Sequence, residues 1–162
     1  EGANTLYQLY NGNFEGEKLR WNDGSPNLEL IERYYHEMSQ DERLKPKTKA
    51  TAIQIGKPAN ITKGLRALEF TNGVVIQVSD KEMLDGMSAV GLNGFDCEMA
   101  SGATVAGIKK LLDNEIIKKD DKIIGILTGR QKEPLLPINY HNESTNKFAR
   151  PPKWNKIEPN YS

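Results

Sequence analysis

The sequence predicts an α/β fold in which a mainly parallel sheet is flanked by helices. Three observations predict it. Residues 74–78 are β-branched at nearly every position and residues 123–127 are apolar throughout, the composition of strands covered on both faces. Helical patterns alternate with these runs. The links are short, so the order β, α, β, α, β implies parallel pairing through right-handed crossovers. Such an arrangement is a three-layer, Rossmann-like half, and the chain divides into a body at 1–133 and an irregular, proline-rich carboxyl-terminal tail at 134–162.

Each element follows from local chemistry. Gly12, Gly16 and the Asn22-Asp23-Gly24-Ser25-Pro26 cluster mark a loop, because these residues supply positive φ, Asx turns or a fixed φ. Asn27 can cap a helix whose apolar positions Ile31, Tyr34, Tyr35 and Met38 recur at helical spacing, with Glu29, Glu32, Arg33 and Glu37 toward water. The basic run 44–49 ends it and reads as a solvated loop. Asn60 precedes a second amphipathic pattern with Ile61, Leu65 and Leu68 on one face. Ser79-Asp80-Lys81-Glu82 is a capping box opening a helix with Met83, Met87 and Val90 inward. A short strand is expected at 95–98. The next helix should bury Val105, Ile108, Leu111 and Leu112, with Ser101 and Thr104 capping free amides near its start. In the tail, Pro134, Pro137, Pro151, Pro152 and Pro159 accompany isolated aromatics without periodicity, so it wraps the body or a partner through Tyr140, Phe148, Trp154 and Tyr161.

Composition narrows the function classes. At 162 residues the chain can bury a core, and 22 basic residues balance 22 acidic ones. No net field draws it to nucleic acid or an anionic membrane. Its one cysteine cannot form an intrachain disulfide, and no apolar run approaches the ~20 residues of a membrane span, so the cytoplasm is the expected compartment. His36 and His141 lack ligand spacing and imply no metal. Cys97 reads as a small buried hydrophobe. Lys57, Lys63, Lys109 and Lys110 fall on polar faces or loops, where none would be desolvated enough to act as a Schiff-base lysine.

One hydroxyl stands out. Thr128 closes the apolar run 123–127 and precedes Gly129, at the carboxyl end of a predicted strand, where open α/β sheets place ligands. A threonine is also an ordinary strand residue; the position favours a contact.

Four segments carry a family resemblance. Gly2-Ala3-Asn4-Thr5-Leu6-Tyr7, Ala50-Thr51-Ala52-Ile53-Gln54-Ile55-Gly56-Lys57-Pro58, Glu98-Met99-Ala100-Ser101 and Leu127-Thr128-Gly129 resemble segments of threonine synthase, a pyridoxal phosphate enzyme of the tryptophan-synthase-β type. The likeness is to its carboxyl-terminal portion, runs nearly unbroken over 50–134 and is weak over 11–49. It implies that residues 1–133 are part of the enzyme's large domain. Thr128 then matches the hydroxyl that hydrogen-bonds the pyridine nitrogen, Ala52 the small residue packed on the ring, and Glu98 the Glu of a Glu-Pro-Ala-Ser motif near the cofactor. Met99 replaces the usual proline, and Gly129-Arg130-Gln131-Lys132 departs from the family's Gly-His-Gly-Leu-Lys.

The resemblance further implies that the Schiff-base lysine and the cofactor-phosphate loop lie in an amino-terminal half of the enzyme outside this chain. The chain is therefore expected to hold no catalytic residue of its own, to be inactive alone, and to need that half, an amino-acid substrate and an oligomeric assembly as partners. The implied reaction converts O-phospho-L-homoserine and water to L-threonine and phosphate. Two alternatives stand beside it. One is a fragment of a serine/threonine dehydratase or cystathionine synthase of the same fold; the other is a non-catalytic binding module derived from it.

Overall fold

A computed structural model describes residues 2–14, 17–18 and 26–130; the tail at 134–162, the boundary at 133 and most of the 22–26 loop cluster lie outside them. Among the described residues five α-helices carry the architecture: α1 (Thr5–Asn11), α2 (Leu28–Gln40), α3 (Ile61–Phe70), α4 (Asp80–Leu92) and α5 (Met99–Asp113). Short 3-10 turns at Glu42–Leu44 and Thr51–Ile53 connect the middle of the chain.

Helices α2 and α4 begin at the caps that the sequence offers. Asn27 accepts a hydrogen bond from the Leu30 amide, and α2 buries Leu30, Ile31, Tyr34, Tyr35 and Met38. Ser79 and Glu82 form the full capping box of α4: the Ser79 hydroxyl accepts from the Glu82 amide, and the Glu82 carboxylate accepts from the Ser79 amide at 2.6 Å. Burial alone would raise the Glu82 carboxyl, but the Ser79 amide and hydroxyl and the Lys110 ammonium outweigh it and hold it low. Asn60 occupies the cap position of α3, yet its side chain makes no cap bond.

The predicted parallel sheet is absent. Among the described residues the one ladder is a two-residue antiparallel pairing, β1 (Asn13–Phe14) with β2 (Glu17–Lys18), and residues 74–78, 95–98 and 123–127 form no strand. The α/β assignment is thereby corrected to a helical fold. β-Branched composition favours extended backbone, but a ladder also needs a neighbouring backbone to accept its bonds. Here side chains take that place. Tyr10 donates to the Gly73 carbonyl, Asn11 to Val75, Lys110 to Gln77 and Thr104 to Ile126. Far from being covered on both faces, Ile124 is 91% and Ile126 69% exposed.

The expected inward face of α5 is corrected too. Met99, Ser101, Gly102 and Ala106 are its buried residues, while Val105, Ile108, Leu111 and Leu112 are only half-buried. Small side chains decide this. A Cβ at Gly86 would stand 2.4 Å from the Gly102 carbonyl oxygen, and one at Gly102 would stand 2.3 Å from the Met83 carbonyl oxygen. The two glycines let α4 and α5 cross at backbone contact, which turns the small-residue face inward.

Two apolar clusters result. One joins Leu9 of α1, Leu30, Ile31, Tyr34, Tyr35 and Met38 of α2, and Ile61 and Leu65 of α3. The other joins Ala50, Met83, Leu84, Met87, Val90, Cys97 and Met99.

Candidate functional site

The start of α5 and the segment after residue 125 meet at a knot of hydroxyls. Glu98 sits at the cap position of α5 in extended backbone, and no side chain caps the helix. Its amide donates to the Gly129 carbonyl at 2.9 Å, which brings the two segments together. Ser101, one turn into the helix and 1% exposed, faces the same segment. Its Oγ accepts from the Thr128 amide at 2.8 Å and from the Gly129 amide at 3.2 Å, and lies 3.2 Å from Thr128 Oγ1. The Thr128 hydroxyl donates to Glu98 Oε1 at 3.3 Å.

Ser101 and Thr104 therefore do not cap α5. Both hydroxyls instead pin residues 126–129 to the helix flank, Thr104 by donating to the Ile126 carbonyl at 3.1 Å. Gly129 belongs to the same arrangement, because a Cβ there would stand 2.5 Å from Glu98 Oε1. A glycine is needed for the carboxylate to come so close.

Of the three residues singled out by sequence, Thr128 and Glu98 are in direct contact. Thr128 is exposed at the surface of the knot and Glu98 is half-buried beneath it. Ala52 is exposed on the 3-10 turn Thr51–Ile53, which packs against α5, while its neighbour Ala50 is buried in the α4–α5 cluster. Ser101 joins the site as a residue that local patterns assigned elsewhere. A cleft of about 250 Å³ lies apart from this knot, lined by Tyr7, Val75, Val78, Met83, Ala103 and Gly107 among others, and its lining includes none of Thr128, Glu98 or Ala52.

Three of the lysines weighed from the sequence are engaged. Lys57 pairs with Glu32 at 3.2 Å and lies over the Tyr35 ring, 4.9 Å from its centroid. Lys110 donates to the Gln77 carbonyl and pairs with Glu82. The Lys109 ammonium is held by Asp113, which raises its pKa, the direction opposite to that of an activated amine. Burial pushes the Cys97 thiol up, reinforced by the charges of Asp96 and Glu98, so it stays protonated at neutral pH. Among the described residues no group of three His, Cys, Asp or Glu could hold a metal ion, and no helix is long and apolar enough to cross a membrane.

The donor set suits a heteroaromatic ligand. An exposed hydroxyl that can donate to or accept from a ring nitrogen, beside a carboxylate, is compatible with the ring of pyridoxal phosphate.

No family model and no solved structure matches the chain. Curated proteins do. The threonine synthase of Methanosarcina acetivorans is 40% identical over 102 residues, 62% of this chain and 25% of that protein. The threonine synthase of Methanocaldococcus jannaschii is 40% identical over 100 residues, covering 60% and 25% respectively. That of Bacillus sp. (strain ULM1) is 35% identical over 96 residues, covering 58% and 27%. The chain thus spans about a quarter of the length of the relatives it matches. Over some three-fifths of its residues, this chain is a homologue of a segment of the threonine synthases, an enzyme family.

Proposed function

We propose that the chain forms one wall of the cofactor cleft of a pyridoxal phosphate-dependent threonine synthase, a lyase that converts O-phospho-L-homoserine and water to L-threonine and phosphate. The observation that carries this reading is the Thr128 hydroxyl, exposed and held by Glu98 and Ser101, within a Leu-Thr-Gly segment resembling that of the family. Pyridoxal phosphate, when bound, supplies an electron sink for carbon–oxygen bond cleavage.

The chain's own residues orient that chemistry. Thr128 presents a hydroxyl to the ring nitrogen without imposing a full pyridinium charge. Glu98 accepts the hydrogen bond of the Thr128 hydroxyl when no ligand does. Ala52 offers a side chain small enough for a ring to lie against it. The anchoring lysine, the phosphate loop and the rest of the substrate site come from the remaining length of the enzyme, so the chain alone is inactive. We place the enzyme in the cytoplasm, a compartment compatible with one cysteine that has no disulfide partner.

The test joins this chain to the rest of a threonine synthase and follows phosphate release from O-phospho-L-homoserine. Release that requires both parts and added pyridoxal phosphate is the expected result. A folded assembly that binds the cofactor but releases no phosphate from this substrate would contradict the proposal.

A further inference from the structure

We infer that Ser101 is a positioning residue that fixes the direction of the hydroxyl chain, so that Thr128 always directs its own proton away from Ser101. The inference rests on the reading of Thr128 as the cofactor contact. A serine hydroxyl has two acceptor lone pairs and one proton. The Thr128 and Gly129 amides can only donate, and together they occupy both lone pairs of Ser101 Oγ at 2.8 and 3.2 Å. The Ser101 proton is then the one shared with Thr128 Oγ1 at 3.2 Å. Thr128 Oγ1 accepts it and must direct its own proton elsewhere. In the structure that proton goes to Glu98 Oε1, and a ring nitrogen at the exposed side of Thr128 is the alternative acceptor. Two backbone amides thus polarise a chain of hydroxyls in one sense, which strengthens the terminal donor.

Full burial makes this direction stable. Ser101 is 1% exposed, so water does not compete for its lone pairs. The same two bonds hold the backbone of Thr128 and Gly129 in place.

The test has two readouts. Amide hydrogen exchange is measured on the full chain as wild type, Ser101→Ala, Ser101→Thr and Thr128→Val. Ser101→Ala is expected to speed exchange at residues 128 and 129 by about tenfold, the scale of one lost hydrogen bond, while Met87 and Val90 keep their rates. Ser101→Thr restores protection, and Thr128→Val leaves it intact because both amides still find Ser101. In the assembled enzyme, affinity for pyridoxal phosphate is then compared with affinity for an analogue carrying C–H in place of the ring nitrogen. Wild type prefers the nitrogen ring; Ser101→Ala loses about tenfold of that preference and binds the carbon analogue unchanged. Unaltered exchange in folded Ser101→Ala, or equal weakening of both rings, would overturn the inference. A wild type indifferent to the ring atom removes the Thr128 contact itself, whereas a preference that survives Ser101→Ala removes only the relay.

Discussion

The cluster beneath α1, α2 and α3 is filled by Leu9, Leu30, Ile31, Tyr34, Tyr35, Met38, Ile61 and Leu65, whereas α4 and α5 meet through Gly86, Gly102 and thioether side chains, with the buried Ser101 holding residues 128–129 alongside. In the first region large side chains interdigitate and position is set by volume. In the second, backbones touch and position is set by the absence of side chains and by hydroxyl–amide bonds. Volume gives stability, while backbone contact and directional bonds give placement to within a few tenths of an ångström. The candidate site stands at the second region, beside the crossing and not in the larger apolar cluster.

Substitutions should separate the two. Ile31→Ala, at a position 2% exposed, removes volume from the first cluster and is expected to cost about 3 kcal/mol in urea unfolding. It should leave amide exchange at Thr128 and Gly129 unchanged; a loss at both places would merge the regions into one unit. Gly102→Ala should cost about 2 kcal/mol, because its Cβ would force Met83 and α4 away. Here exchange at Thr128 should quicken, and a variant as stable as wild type would show that the helices do not cross at backbone contact.

A smaller effect tests the capping box that starts α4. The folded Glu82 carboxyl lies below its ordinary value of 4.5, so its stabilisation is present above about pH 4.5 and is lost as pH falls through the folded value. Glu82→Gln keeps an oxygen for the capping box but removes the charge, so it should cost about 0.5–1 kcal/mol at pH 7 and flatten the decline in stability between neutral and acid pH. An unchanged pH profile would remove the Glu82 charge from the account. Of similar size is the stability effect of Thr128→Val, about 1 kcal/mol, because its side chain is exposed but the buried Ser101 hydroxyl loses its acceptor.

What the sequence carried depended on the range of the interaction. The Asn27 cap, the Ile31–Tyr34–Tyr35–Met38 stripe and the Ser79–Glu82 box are set within a turn or two, and each stands where its pattern places it. The sheet failed for the opposite reason. Residues 74–78 and 123–127 have strand composition, but whether a ladder forms depends on a second backbone elsewhere in the chain, and Asn11, Lys110 and Thr104 bond carbonyls of these segments instead. Likewise Val105, Ile108, Leu111 and Leu112 suggested the inward face of α5, whereas the approach allowed by Gly86 and Gly102 decided it. Motif resemblance singled out Glu98 and Thr128 one by one. Ser101 was hidden because its partners lie 27 and 28 residues away, a separation no local pattern encodes.

The central claim is that the Thr128 hydroxyl serves a bound pyridine ring while contributing little to the fold. The most direct measurement is the rate of phosphate release from O-phospho-L-homoserine by the assembled enzyme carrying Thr128→Val or Thr128→Ser. With the fold intact in both, the valine variant should lose about tenfold or more in rate, and the serine variant should stay near wild type. A valine variant as fast as wild type would contradict the account.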